Sequence, residues 1–141
     1  MAQPVPDARP TISTHVLDTA SGRPAAGVHV ILSKVGDDGR PIRMTQALTD
    51  ADGRIRDLLE RPLSPGVYRL EFSLARAVAL PAPGRAGGPD PDAGIDRDPD
   101  APEGPRLFER VSLDLRVTDV SRSYHVPLLL APYSVTSYRG S

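Results

Sequence analysis

The sequence predicts an all-β protein, a two-sheet β-sandwich of seven to eight short strands with at most one short helix. Its apolar residues recur with a period of two, the signature of half-buried strands, rather than the 3.6 of helices. The strand-like segments are short and separated by Gly, Pro, Asp and Ser clusters. A chain of 141 residues also suits a single core, since one domain occupies roughly 100–150 residues.

Taken in order, strands are expected over residues 12–17, 28–35, 42–48, 67–74, 107–117, 124–130 and 134–139, with a short one after Arg54. Residues 67–74 alternate most cleanly. Tyr68, Leu70, Phe72 and Leu74 fall on one face and Arg69, Glu71 and Ser73 on the other, as in a sheet with one wet side. In residues 107–117, Val111, Leu113, Leu115 and Val117 alternate with Arg110, Ser112, Asp114 and Arg116 in the same way. Turns are expected at Ser21-Gly22-Arg23-Pro24, Gly36-Asp37-Asp38-Gly39, Asp50-Ala51-Asp52-Gly53 and Ser64-Pro65-Gly66, where Gly and Asp tolerate positive φ and Pro presets it. Pro127 lacks a backbone donor, so its strand is expected at a sheet edge or beginning after it. Residues 75–80 are the one helical candidate and too short to hold a helix alone.

Proline and glycine, 16 and 12 residues, concentrate in two places. Residues 1–10 carry three Pro and read as a flexible N-terminal tail. Residues 81–105 hold seven Pro, five Gly and five Asp with Ile95 as the sole large apolar side chain, so they cannot bury a core. The expected organisation is a single sandwich domain over residues 11–141, interrupted by this insertion as a disordered loop. The insertion carries −4, leaving about +3 elsewhere from a chain total of −1, too mild and scattered for nucleic-acid binding. Without cysteine there is no disulfide, thiol nucleophile or thiolate metal site. No apolar run approaches the roughly 18 residues of a membrane span, and residues 1–10 do not read as a secretory signal. A cytoplasmic protein is expected.

The chain has three histidines, the residues best suited to proton transfer near neutrality. His15 shares a strand face with Ser13 and Leu17, and His125 shares one with Pro127 and Leu129, so each can point from a sheet into a common cleft. His29 reads as structural. Arg54 follows the turn at residues 50–53, and its planar fork of donors suits a carbonyl oxygen or developing oxyanion. Gly-x-Ser-x-Gly and phosphate-cradling glycine loops are absent.

Thr14-His15-Val16-Leu17-Asp18, Asp52-Gly53-Arg54, Tyr124-His125-Val126-Pro127-Leu128-Leu129-Leu130 and the closing Tyr138-Arg139-Gly140-Ser141 together resemble the 5-hydroxyisourate hydrolases, the enzymatic branch of the transthyretin-like proteins. The resemblance spans residues 11–74 and 107–141. It implies a transthyretin-like sandwich, a homotetramer with sites at the dimer–dimer interface, no metal or organic cofactor, and a purine-derived small-molecule substrate. The implied reaction opens the cyclic amide of 5-hydroxyisourate, in urate breakdown, to 2-oxo-4-hydroxy-4-carboxy-5-ureidoimidazoline. Carried over by position, His15, Arg54, His125 and Ser141 are catalytic candidates, and His15, Arg54, Tyr138, Arg139, Gly140 and Ser141 bind substrate. Either His15 or His125 takes the proton of the attacking water, and activity is expected to fall below about pH 6. The alternative is a non-catalytic carrier of the transthyretin branch, which lacks this set of residues. The chain departs from the family in residues 75–105, which replace a short helix and compact connection, and mildly at Ala131 and at Ser134-Val135-Thr136.

Overall fold

Alternating burial along residues 12–18, 66–73 and 110–117 matches the strands that the sequence periodicity anticipates, whereas Arg23–Pro24, expected within a turn, forms a short exposed strand. The structure, a computed structural model, describes residues 9–74 and 106–140. Among the described residues there are nine strands and no helix: β1 (Ile12–Asp18), β2 (Arg23–Pro24), β3 (His29–Val35), β4 (Pro41–Leu48), β5 (Arg54–Ile55), β6 (Gly66–Ser73), β7 (Arg110–Val117), β8 (Tyr124–Ala131) and β9 (Ser134–Ser137). The helix expected at residues 75–80, the insertion at 81–105 and residues 1–8 of the expected tail lie outside the described residues.

The strands form two sheets. One runs β2-β1-β8-β9, with β5 also paired to β1, and the other runs β4-β3-β6-β7. Their inner faces close on one hydrophobic cluster. Ile12, Val16, Val126, Leu128 and Leu130 come from the first sheet, and Val30, Leu32, Tyr68, Leu70 and Phe72 from the second. Each such large side chain contributes roughly 1.5–3 kcal/mol when fully buried. In β1 the residues left half-buried between core positions are Ser13, His15 and Leu17. They form the outer face of the first sheet.

β1 pairs with β8 in parallel, placing Ser13 opposite His125 and His15 opposite Pro127, whereas every other strand pair is antiparallel. Side-chain hydroxyls fasten this pair along its length. Ser123 Oγ accepts from the Thr11 N–H at 2.9 Å, the buried Thr14 hydroxyl donates to the Val126 carbonyl at 2.6 Å, and the Thr19 hydroxyl donates to the Leu130 carbonyl at 2.8 Å.

The expectation for Pro127 is corrected here. It lies inside β8, which starts before it at Tyr124 and runs between β1 and β9. Tyr124 N–H and Leu130 C=O point toward β1, while His125 C=O bonds Gly140 and Pro127 C=O bonds Ser137. The alternation of backbone directions therefore turns the missing donor of Pro127 toward β9. There the regular ladder reaches only Leu128↔Ser137 and resumes as an isolated bridge, His125↔Gly140. Proline costs β8 no bond to β1, and it breaks the ladder opposite Tyr138.

Gly53 fixes the other side of β1. It has φ +74°, its carbonyl accepts from the Val16 N–H at 2.7 Å, and an added Cβ would collide with Val16 O and lie 2.9 Å from Pro24 Cβ. Positive φ and a crowded approach both demand glycine. Gly53→Ala is expected to destabilise the fold by about 1–3 kcal/mol, measured as a lower urea midpoint with an unchanged m-value. An unchanged midpoint would show that the turn relaxes freely.

Candidate functional site

Two strand pairings bring the candidate residues onto the outer face of the first sheet. The β1–β5 register sets Arg54 opposite His15, and the β1–β8 register sets His125 opposite Ser13. Arg54 is delivered by the turn at residues 50–53. Asp50 Oδ1 accepts from the backbone N–H groups of Asp52 at 2.8 Å and Arg54 at 3.0 Å. The bond from the Arg54 N–H is the leading reason that the Asp50 carboxyl is held below its usual range. Among the described residues the Arg54 guanidinium meets no carboxylate, so its charge is open to a ligand.

His125 is the most constrained of the three. Its Nδ1 lies 2.8 Å from Ser13 Oγ, and its backbone carbonyl accepts from the Gly140 N–H at 2.7 Å. The ring is half-buried. Burial first, then the neighbouring Arg54 and His15, push its pKa below 6.5, the ordinary histidine value. All three effects disfavour the imidazolium of a ring that shares its sheet face with the Arg54 cation. His15, half-buried on β1, makes no hydrogen bond through its ring within the described residues.

The segment after β9 completes the face. A Cβ on Gly140 would stand 2.5 Å from His125 Cδ2 and 3.2 Å from its Cγ, so the glycine backbone packs directly on the imidazole. Tyr138, freed from the ladder by Pro127, is 56% exposed. Arg139 turns elsewhere: its guanidinium carbon sits 4.3 Å above the Tyr124 ring centroid, and its Nη2 makes a long 3.4 Å contact to the Ser123 carbonyl. It thereby ties the segment to the start of β8. Ser141 lies outside the described residues.

His29 lies on the second sheet, where its Nε2 is 2.8 Å from Gln46 Oε1, consistent with its structural reading. Ser13 is the site residue that sequence reasoning passed over. Its place on one face with His15 was visible, but its contact with His125 needs the parallel register. Among the described residues no group of three His, Asp or Glu side chains is arranged to hold a metal ion.

Comparison with known proteins places relatives beside this geometry. Residues 12–140 match the family described as HIUase/Transthyretin. A 5-hydroxyisourate hydrolase of Deinococcus radiodurans is 41% identical over 94% of this chain and 97% of its own. The solved structure of Klebsiella pneumoniae 5-hydroxyisourate hydrolase superposes with a TM-score of 0.65 at 30% identity, covering 93% and 99% of the two chains. Sea bream transthyretin in complex with thyroxine shares the fold, with a TM-score of 0.70 at 24% identity over 92% and 94% of the chains.

The contact between Gly140 and His125 yields a direct test. Gly140→Ala is expected to displace the imidazole or detach the segment, shifting the His125 ring resonances in NMR spectra while leaving Tm within about 3 °C, because the core is untouched. Unchanged His125 resonances would show that the two do not pack.

Proposed function

The chain belongs to the HIUase/Transthyretin family, and from that premise we propose that it is a hydrolase that opens the cyclic amide of 5-hydroxyisourate to 2-oxo-4-hydroxy-4-carboxy-5-ureidoimidazoline in urate breakdown. The observation that carries this reading is the grouping of His15, Arg54 and His125 on one sheet face, where burial and neighbouring groups lower the His125 pKa. A carrier for an apolar ligand has no use for a cation beside a depressed imidazole. The likeness to thyroxine-bound transthyretin concerns the fold, and one fold hosts many functions.

His125 is the general base in this proposal, because only a neutral imidazole accepts a proton. It takes a proton from water as the water oxygen bonds to the amide carbonyl carbon. The oxygen charge that develops faces the Arg54 guanidinium, a fixed cation that gains strength where solvent is reduced. Collapse of the adduct breaks the C–N bond. The ring nitrogen leaves with the proton held by His125, and the new acid ionises to a carboxylate. His15, Tyr138, Gly140 and Ser141 hold the substrate ring and the water, with Arg139 acting through the segment that carries them. No cofactor enters these steps.

We further propose a homotetramer with sites at the dimer–dimer interface. β7 and β9 end their sheets, the outer face bearing His15 and His125 is half-open, and Leu107, Phe108 and Tyr133 are exposed apolar side chains. Among the described residues no helix is long and apolar enough to cross a membrane. A cytoplasmic location belongs to the same proposal.

Substrate made freshly by urate oxidase and followed by its ultraviolet absorbance tests the reaction. The protein is expected to accelerate the decay, and decay at the spontaneous rate would remove the enzymatic reading. Arg54→Ala is expected to lower kcat by about 10²–10³, and wild-type turnover in that variant would exclude the assigned role. Because protonation of His125 removes the base and its pKa lies below 6.5, kcat/KM should fall in acid with a midpoint below 6.5. A flat profile from pH 5 to 8 would contradict it. For the assembly, light scattering should give four chains, and a fully active monomer would overturn the shared site.

A further inference from the structure

We propose that Ser13 is a positioning residue for the hydrolysis, fixing the proton of His125 on Nδ1 so that Nε2 is bare toward substrate. This rests on the reaction proposed above. A neutral imidazole has one N–H and one acceptor nitrogen, and a hydrogen bond at one nitrogen decides the role of the other. The Ser13 hydroxyl lies 2.8 Å from Nδ1, held there by the parallel register that sets the two residues side by side.

The surroundings leave one edge of the ring for chemistry. Nδ1 faces Ser13, and the Cδ2 edge is covered by the Gly140 backbone, where even a methyl group would collide. That leaves the Cε1–Nε2 edge to meet the water in the proposed reaction. With Nδ1–H donating to Oγ, Nε2 carries the lone pair that accepts the proton. After that transfer the imidazolium still donates from Nδ1 to the same oxygen, so one contact serves both states without rearrangement.

A hydroxyl also suits the electrostatics of this face better than a carboxylate. An aspartate at position 13 would hold the ring protonated by its charge. A hydroxyl can accept from Nδ1–H or donate to a bare Nδ1, and only the accepting arrangement persists unchanged once the ring gains its second proton, which favours the proton on Nδ1. Thr14, the neighbour whose buried hydroxyl goes to the Val126 carbonyl, does the structural work of the strand pair, so Ser13 can be altered without breaking it.

The experiment combines kinetics with ¹⁵N NMR of the histidine rings in the full-length protein. In the wild-type protein His125 should show a protonated Nδ1 and a bare Nε2. Ser13→Ala should give mixed tautomers and lower kcat about tenfold to hundredfold, with KM within about threefold. Ser13→Thr, which keeps a hydroxyl, should restore both. A bare Nδ1 in the wild-type protein, or wild-type kcat and ring shifts in Ser13→Ala, would overturn the proposal. So would Ser13→Thr as impaired as Ser13→Ala. If the wild-type protein left 5-hydroxyisourate at its spontaneous rate, the functional reading would fail, and the ring shifts would still judge the role of Ser13.

Discussion

The parallel pairing of β1 with β8 is the constraint on which the rest of the structure depends. It joins segments more than 100 residues apart and sets which side chains stand together on the outer face. Because side chains alternate along a strand, a slip of one residue between the two strands would turn one of them over, sending either His15 or His125 toward the core and exposing Val16 or Val126 in its place. The register is fixed from both sides. Burial of Ile12, Val16, Val126, Leu128 and Leu130 selects the inward set, and the hydroxyls of Thr14 and Thr19 bond carbonyls of β8. Packing on one face of the sheet thus holds the arrangement of His15 and His125 on the other.

Pro127 links the same pairing to the closing segment. Its missing donor faces β9, so β8 keeps its ladder with β1 and loses continuity only on the far side. The break releases Tyr138, and the bond from Gly140 to the His125 carbonyl recaptures the chain two residues later. Arg139 over Tyr124 secures the return. Gly140 can then lie against the imidazole because it has no side chain to displace it.

Much of this was legible in the sequence. The alternation of Tyr68, Leu70 and Phe72 reappears as buried core, and the turn at residues 50–53 delivers Arg54 as its Asp and Gly suggest. Pairing was not legible, because strand order is a long-range property that local periodicity does not encode. Pro127 shows the consequence: whether a proline suits an inner strand depends on which neighbour its nitrogen faces, and no local pattern states that. The same holds for Ser13, an ordinary hydroxyl until the register sets it beside His125, and for Arg139, whose charge goes to an aromatic ring on the other side of β8.

In the proposed reaction the arrangement supplies an imidazole of lowered pKa, His125, on the same face as the Arg54 cation. Burial, Arg54 and His15 all act in one direction on His125, which suits the proton-accepting role proposed for it. The sign is definite. A ring whose folded pKa is depressed binds its proton only at lower pH, and activity that needs the bare ring should follow it. Titration of the His125 ring by NMR in the wild-type protein, set beside kcat/KM over the same pH range, tests this most directly. The account predicts a His125 midpoint below 6.5 that coincides with the acidic limb of activity. A midpoint above 6.5, or an acidic limb that does not track His125, would contradict it.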